Sequence, residues 1–399
     1  MEPRYSLVMF CPDIEEEIFK EIESYLLNGI KVVLFTIDSL ESFEERPLWQ
    51  KALKERFLEA YEVPYREEWA KTPARFYDGK IKNLELWRYL CDNSSFNEEQ
   101  YMIEHYDPDV HLMVKAGAGT GKTTALINRI LFLKHMDPQF TLEQLALITF
   151  TNAATLQMRQ RLVERLTSYY HLTRHGRYLS WLKEVYQLQI STIHSFAQKI
   201  LDLSGELGIS RGMDIRTFEA DKKRLLEEAI DAFAQQYPEQ YRPFRFKPHY
   251  QLVEAALQMY EALQNRALST EKVADLDFGE QENHHAFFFS YLIKRLDREL
   301  EQIKEKNRQI EVNDLIRRLD RLDILQLKEK FPFRYVMVDE FQDTDPVQVS
   351  FLLKLVQGTN CRLLVVGDVK QSIYRFRGAD YTAFQQLEEG LIRLNHSYQ

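Results

Sequence analysis

Cysteine is scarce in this chain. There are three in 399 residues (Cys11, Cys91 and Cys361), and none has Cys-x-x-Cys spacing. That excludes a disulfide framework and leaves a zinc site or an iron–sulfur cluster without enough ligands. No apolar run approaches the roughly 18 residues that would mark a membrane-spanning helix. The opening Met1-Glu2-Pro3 lacks the basic and apolar regions of a signal segment. These absences predict a cytoplasmic protein with no membrane partner. Internal repeats and low-complexity tracts are also missing. A basic excess is absent overall, with 52 Lys and Arg against 61 Asp and Glu, a net charge of −9. The balance is uneven, however. Residues 1–95 carry 13 basic and 19 acidic side chains, and residues 115–200 carry 11 basic and 4 acidic ones. The second stretch reads as a local footprint for a polyanion. The length and the 45% apolar content suit roughly two to three domains with sizeable cores.

Two short segments carry the chemistry. The first is Ala116-Gly117-Ala118-Gly119-Thr120-Gly121-Lys122-Thr123, followed by Thr124. It lies between an apolar run at 111–116 and a helical pattern from Thr124 to Leu133, the strand–turn–helix context of a phosphate-binding loop. Its glycines let successive N–H groups point at phosphate oxygens, and the helix N-terminus adds favourable partial charge. Lys122 is placed to reach the β- and γ-phosphates and Thr123 to ligate Mg²⁺. The strict pattern has glycine where this chain has Ala116. The second segment is the apolar Tyr335–Val338 run ending in Asp339-Glu340. Asp339 suits a Mg²⁺ ligand, and Glu340 suits a general base for the attacking water. The ligands implied are ATP and Mg²⁺.

From these residues outward the chain resembles superfamily 1 DNA helicases, with the motifs in family order. Phe96-Asn-Glu-Glu-Gln100 is similar to the adenine-reading element, with Gln100 on the base edge. Thr149-Phe150-Thr151-Asn152-Ala-Ala154 and Ser191-Thr192-Ile-His194-Ser-Phe196 resemble DNA-contacting motifs. Ile310–Leu315 resembles the element that returns the chain to the motor domain. Asp339–Thr344 looks like the DExQD magnesium motif, and Val366–Arg377 like the motif coupling nucleotide to DNA. The resemblance assigns a γ-phosphate sensor role to Gln371, and DNA contact to Phe150, Thr151, Asn152, Thr192, His194, Tyr374, Phe376 and Arg377. Aromatics alternating with arginines suit stacking on unpaired bases beside held phosphates; the bland alternative for Phe150, Tyr374 and Phe376 is ordinary core packing. The string Asp368-Val-Lys-Gln-Ser-Ile-Tyr-Arg-Phe-Arg377 is most similar to the helicase–nuclease subunits AddA and RecB.

The fold class expected is α/β: a RecA-like P-loop parallel sheet with an inserted helical subdomain and a small N-terminal α/β extension. Residues 1–95 read as an accessory domain, 96–203 and 309–399 as the first motor domain, and 204–308 as the helical insertion. Within 1–95, strands are expected at Ser6–Phe10 and Lys31–Ile37, then helices broken by Pro47, Pro64 and Pro73. Asp13 and Asp38 read as loop or cap carboxylates rather than a catalytic pair, and Glu15-Glu16-Glu17 as a solvated helix start.

The resemblance implies the front half of an ATP-dependent 3′–5′ DNA helicase acting on single-stranded and duplex DNA. The alternatives are a stand-alone UvrD-type repair or defence helicase, and an ATP-gated DNA-binding switch without unwinding. The ending Leu394–Gln399 resembles a degraded form of the family's next motif, with Gln399 in the place of an arginine. A second RecA-like domain bearing the arginine finger is expected on the same polypeptide, along with a nuclease partner. The present chain should then bind ATP and hydrolyse it poorly.

Overall fold

The computed structural model describes residues 2–40, 46–71, 73–117, 119–204, 214–215, 218–264, 270–279, 283–311, 314, 328, 330–371 and 382–394. Two runs near the N-terminus, β1 (Ser6–Cys11) and β2 (Lys31–Thr36), are buried along their whole length. That uninterrupted burial is typical of parallel strands covered on both faces. Helix α1 (Glu16–Leu27) joins them, and α2 (Pro47–Lys54), β3 (Leu58–Glu62), β4 (Ala74–Tyr77) and α3 (Leu84–Asp92) follow. The sheet order is β3-β2-β1-β4, with β4 antiparallel and the rest parallel.

Helices α2 and α3 lie among the helical stretches expected from Pro47 on, but β3 and β4 stand where only helices were expected. Leu58-Glu-Ala-Tyr-Glu62 is short and half charged, as an edge strand tolerates. Asp78, just past β4, accepts the backbone N–H groups of Arg4, Tyr5 and Ser6 at 3.0, 2.8 and 2.9 Å. Asp38 accepts the Ile14 N–H at 2.9 Å, which is a loop-bracing role. Glu16, in the acidic helix start, pairs with Arg46 at 2.7 Å.

The second sheet begins after α4 (Glu98–His105). Its elements are β5 (Leu112–Lys115), α5 (Lys122–Met136), β6 (Leu145–Thr149), α6 (Asn152–Thr173), α7 (Gly176–Val185), β7 (Gln189–Thr192) and α8 (Ile193–Ser204). A helical insertion follows: β8 (Asp214–Ile215), α9 (Glu219–Gln236), α10 (Pro238–Tyr241), α11 (His249–Gln264), α12 (Thr270–Ala274), α13 (His284–Asn307) and β9 (Gln309–Ile310). The sheet then resumes with β10 (Tyr335–Val338), α14 (Pro346–Gly358), β11 (Arg362–Gly367) and α15 (Ala383–Arg393).

The strand order is β5-β11-β10-β6-β7 and every pairing is parallel. Alternate residues serve opposite faces. Leu145, Leu147, Met337 and Leu364 join the core under α5 and α6. Ala146, Ile148, Val336, Val338 and Val365 join the one under α8, α14 and α15. All five strands therefore end at one edge, where open parallel sheets bind ligands. The insertion has its own core, in which Leu226 and Phe233 of α9 meet Phe288 and Leu292 of α13. The β8–β9 pairing ties its two ends together.

The N-terminal sheet and the second sheet share one continuous core. Tyr5, Leu7 and Met9 belong to the same cluster as Phe132, Leu166 and Tyr169. Across this seam, cations of one part donate to backbone carbonyls of the other. Arg165 reaches the carbonyls of Glu55 and, at 3.1 Å, Arg56, with its guanidinium 4.2 Å over the Phe57 ring. Arg177 donates to Asn28 O at 2.7 Å, Lys51 to His171 O at 3.2 Å and Arg4 to Met136 O at 3.0 Å. Elsewhere Arg129, Lys134 and Arg159 donate to carbonyls within the part built on the second sheet. Five of the eleven basic side chains of residues 115–200 thus also brace the fold through backbone carbonyls, while Lys115, Arg161, Arg174 and Lys183 are exposed.

Two neutral histidines are buried at the seam. His105 Nδ1–H donates to Tyr101 O at 2.8 Å, and its Nε2 accepts from Ser6 Oγ at 2.5 Å. His135 Nδ1–H donates to Leu131 O at 2.7 Å, and its Nε2 accepts from Tyr178 Oη at 3.1 Å. Burial pulls their pKa values down to about 4 and about 3. The unfolded chain takes up protons at both rings below about pH 6.5, whereas the folded chain resists uptake until those lower values. Their contribution to stability is whole above pH 6.5 and is lost as pH falls. At pH 5 the expected cost is ~2 kcal/mol per ring. Urea unfolding at pH 7 and pH 5 should register it; equal stability at the two pH values would rule out neutral buried rings.

Candidate active site

The phosphate loop leaves β5 and enters α5. Its root is fixed to the sheet by the Ala116 N–H, which donates to Gly367 O of β11 at 2.9 Å. Thr120 Oγ1 closes the loop by donating to Gly117 O at 2.8 Å. Gly119 and Gly121 have φ of +75° and +81°, which side chains rarely tolerate. At Gly121 a Cβ would also come within 2.6 Å of Gln100 Nε2. Gln100 sits in the first turn of α4, which Asn97 caps by accepting the Gln100 N–H at 2.9 Å. Its side-chain amide donates to Thr120 O, so the expected adenine reader is attached to the loop itself. Thr123 follows Lys122 in the first turn of α5 half-buried, and Thr124 is exposed. Ala118 lies outside the described residues.

The Lys122 Nζ donates to Glu340 Oε2 at 3.0 Å, bridging 218 residues of sequence. That contact brings the loop and the Asp339-Glu340 pair together at the strand ends. Glu340 holds a left-handed backbone, φ 51° and ψ 44°, which costs a non-glycine residue about 1–2 kcal/mol. Its N–H turns back to Asp339 Oδ1 at 3.0 Å. The Asp339 carboxyl is pushed up to about 6, first by burial and then by the neighbouring Glu340; Lys122 and Arg161 oppose the shift. Two carboxylates held together at a strand end, one of them mostly buried, favour a cation between them. The donor set fits Mg²⁺, which takes carboxylate and hydroxyl oxygens: Asp339 and Thr123 would hold it, with Lys122 and the loop N–H groups on the phosphates.

The residues expected to touch DNA lie along the same strand-end edge. Thr192 pairs in register with Thr149, and Ile148 with Val338. Thr151 Oγ1 caps α6 by accepting the Ala154 N–H at 3.1 Å, and Asn152 is exposed beside it. Thr192 Oγ1 accepts the Ser195 N–H at 3.4 Å, and His194 is half-buried at the start of α8. Phe150 is half-buried just beyond β6. The Gln371 side chain, Tyr374, Phe376, Arg377 and Gln399 lie outside the described residues.

A family model described as the UvrD/REP helicase N-terminal domain matches residues 96–391. The chain belongs to the UvrD/REP helicase family. Its parallel motor sheet is the RecA-like P-loop fold of that family. A probable DNA helicase II homolog of Mycoplasma pneumoniae is 28% identical over 301 residues, covering 72% of this chain and 36% of the relative. The ATP-dependent DNA helicase PcrA of Staphylococcus epidermidis is 29% identical over 291 residues, 70% of this chain and 34% of the relative. The ATP-dependent DNA helicase SRS2 of Saccharomyces cerevisiae is 27% identical over 321 residues, 74% of this chain and 24% of the relative. The chain thus spans about a third of the two bacterial relatives and a quarter of the yeast one.

Three participants in this UvrD/REP-type site were given no individual role in the sequence reading. Gln342 is nearly fully buried; its Nε2 donates to Glu340 Oε2 at 2.8 Å, and its Oε1 accepts the Asp368 N–H at 2.7 Å. It therefore links the candidate base to the turn leading to Gln371. Gly367 makes room for it, since a Cβ there would lie 2.5 Å from Gln342 Oε1. Arg161 of α6 adds positive potential at Asp339. The signal for Gln342 was available: a glutamine two residues past a strand-end carboxylate supplies both a donor and an acceptor.

Proposed function

We propose that this chain is the ATP- and DNA-binding front region of an ATP-dependent 3′–5′ DNA helicase. The Lys122–Glu340 contact carries the reading. It joins a phosphate-binding lysine to a base candidate at a strand-end edge that also holds Thr151, Asn152, Thr192 and His194. Bound Mg²⁺ would polarise the phosphate oxygens. Thr123 and Asp339 would hold it; Lys122 leaves Glu340 for the phosphates, and Glu340 takes the proton of the water whose oxygen bonds the γ-phosphorus as the bond to the β-phosphate oxygen breaks and ADP leaves. The Gln342 bridge from Glu340 to Asp368 gives nucleotide state a path toward Gln371 and the Tyr374–Arg377 segment.

Hydrolysis coupled to translocation and unwinding requires a second RecA-like domain with an arginine finger. The 3′–5′ direction follows from the family resemblance. The helicase–nuclease context of repair and recombination, with a nuclease partner, is supported by the AddA- and RecB-like string Asp368–Arg377. The alternatives are a stand-alone UvrD-type repair or defence helicase and an ATP-gated DNA-binding switch without unwinding. Residues 1–95 are read as an accessory module, 96–203 with 309–399 as the motor domain, and 204–308 as the insertion.

Joint Tyr374→Ala and Phe376→Ala replacement should weaken binding of a fluorescent single-stranded oligonucleotide at low salt at least about tenfold, whatever its sequence, since each stacked base contributes ~1–3 kcal/mol. Unchanged binding with the fold retained would make these aromatics core residues and remove the DNA contact proposed for them.

A further inference from the structure

The lysine end of the phosphate loop faces Glu340. On the Gln100 side of the loop, beside Thr124, a cavity of about 520 Å³ opens between α4, α5 and α6 and the N-terminal sheet. Its volume lies within the ~300–1,000 Å³ of small-molecule sites. Gln100 and Thr124 form the near wall, and Arg161 of α6 borders it. The far wall belongs to the N-terminal module: Lys31, Arg56 and Glu59. Lys31 is neutralised within that wall by Glu59 at 3.4 Å and by Glu104 at 3.5 Å. Glu59 is further engaged by the Tyr61 hydroxyl at 2.8 Å. Arg56 and Arg161 instead present exposed side chains from two different parts of the chain.

Arg56 is also rigidly mounted. Its backbone is left-handed, φ 55°, its N–H donates to Leu53 O at 3.1 Å, and its carbonyl accepts from Arg165. The wall is coupled to the loop through α4. Phe96, just before that helix, packs edge-on against Phe35 and Tyr61 of the N-terminal sheet, and four residues later Gln100 touches Thr120.

With its terminal phosphate toward Lys122 and its base at Gln100, as the reading above has it, a bound nucleotide has its nucleoside at the mouth of this cavity, which Gln100 and Thr124 line. Planar guanidinium groups stack on heterocycles, and mixed amide and carboxylate walls suit base edges and ribose hydroxyls. We propose that Arg56 of the N-terminal module contacts that nucleoside across the cavity, so the module takes part in nucleotide recognition. The proposal rests on the phosphate-loop reading above.

The test compares Mg-ATP with Mg-tripolyphosphate, which lacks the nucleoside, by calorimetry on the whole chain. Arg56→Ala should weaken ATP about tenfold, the loss of one stacked or hydrogen-bonded contact, and leave tripolyphosphate unchanged. A photoreactive azido-adenine analogue of ATP should label peptides of residues 46–62 in the unsubstituted protein. Unchanged ATP affinity in Arg56→Ala, an equal loss for both ligands, or label confined to residues after 96 would each overturn the proposal. Lys122→Ala separates the two levels. Loss of both ligands leaves the phosphate-loop reading intact while Arg56 is judged; retention of both would overturn that reading itself.

Discussion

Replacing Lys122 with alanine should lower Mg-ATP affinity by at least about a hundredfold. The lysine side chain is 9% exposed and pairs with Glu340 at 3.0 Å. It is the cation at the junction of the loop and the Asp339-Glu340 strand end. A hydrogen bond to a charged partner contributes about 1.5–3 kcal/mol, and each 1.4 kcal/mol is tenfold in affinity. The substitution does more than delete one bond. Asp339, already pushed up to about 6 by burial and by Glu340, loses one of the cations that oppose the shift. The polyphosphate would then approach two carboxylates with no lysine between them. The apo fold should be little affected, because Glu340 is 40% exposed and stays solvated. Calorimetry should show no binding heat at ATP concentrations that saturate the unsubstituted chain, with the thermal midpoint kept. Full affinity in the variant would remove the phosphate-loop assignment and, with it, the reading of this chain as a motor.

The parts of this site that were legible in the sequence are those encoded by local pattern. A glycine-rich turn between an apolar strand and an amphipathic helix, and a carboxylate pair closing an apolar run, are visible within about ten residues each. The motor strands were legible for the same reason, since β6, β10 and β11 are continuous apolar runs. Strands β3 and β4 were not. Glu59 and Glu62 break any apolar period, and the neighbouring prolines read as helix punctuation.

The attachment of the N-terminal module was illegible too, because a cation–carbonyl contact leaves no sequence signature. Arg165 binding the carbonyls of Glu55 and Arg56, about 110 positions away, looks in the sequence like any basic residue on a helix. Part of the positive excess of residues 115–200 therefore has a structural role that the charge count does not reveal. Gln342 was visible, but its role depends on Asp368 and Gly367 reaching it from the next strand.

Glutamine in place of Glu340 should separate binding from turnover. A general base contributes about 10²–10⁴ in rate, so ATP hydrolysis should fall by that factor. The amide keeps the side chain's size and can still accept from Gln342, so the bridge toward Asp368 survives. Affinity should move the opposite way. In the unliganded chain Glu340 holds Lys122, and that ion pair must break before the lysine meets a phosphate. Removing the charge releases Lys122 and takes an anion away from the incoming γ-phosphate, so Mg-ATP should bind several-fold more tightly, a pair whose carboxylate is solvated being worth about 1 kcal/mol.

Asp339→Asn provides the contrast. It removes a proposed magnesium ligand while leaving Lys122 paired, so the dependence of affinity on Mg²⁺ should weaken. Single-turnover measurements with labelled ATP, run with calorimetry, distinguish the outcomes even if this chain hydrolyses slowly. If Glu340→Gln hydrolyses ATP at the unsubstituted rate, Glu340 is not the base and its left-handed backbone serves only the turn. If hydrolysis is lost and affinity falls as well, the Lys122–Glu340 pair organises the site and does not compete with the nucleotide.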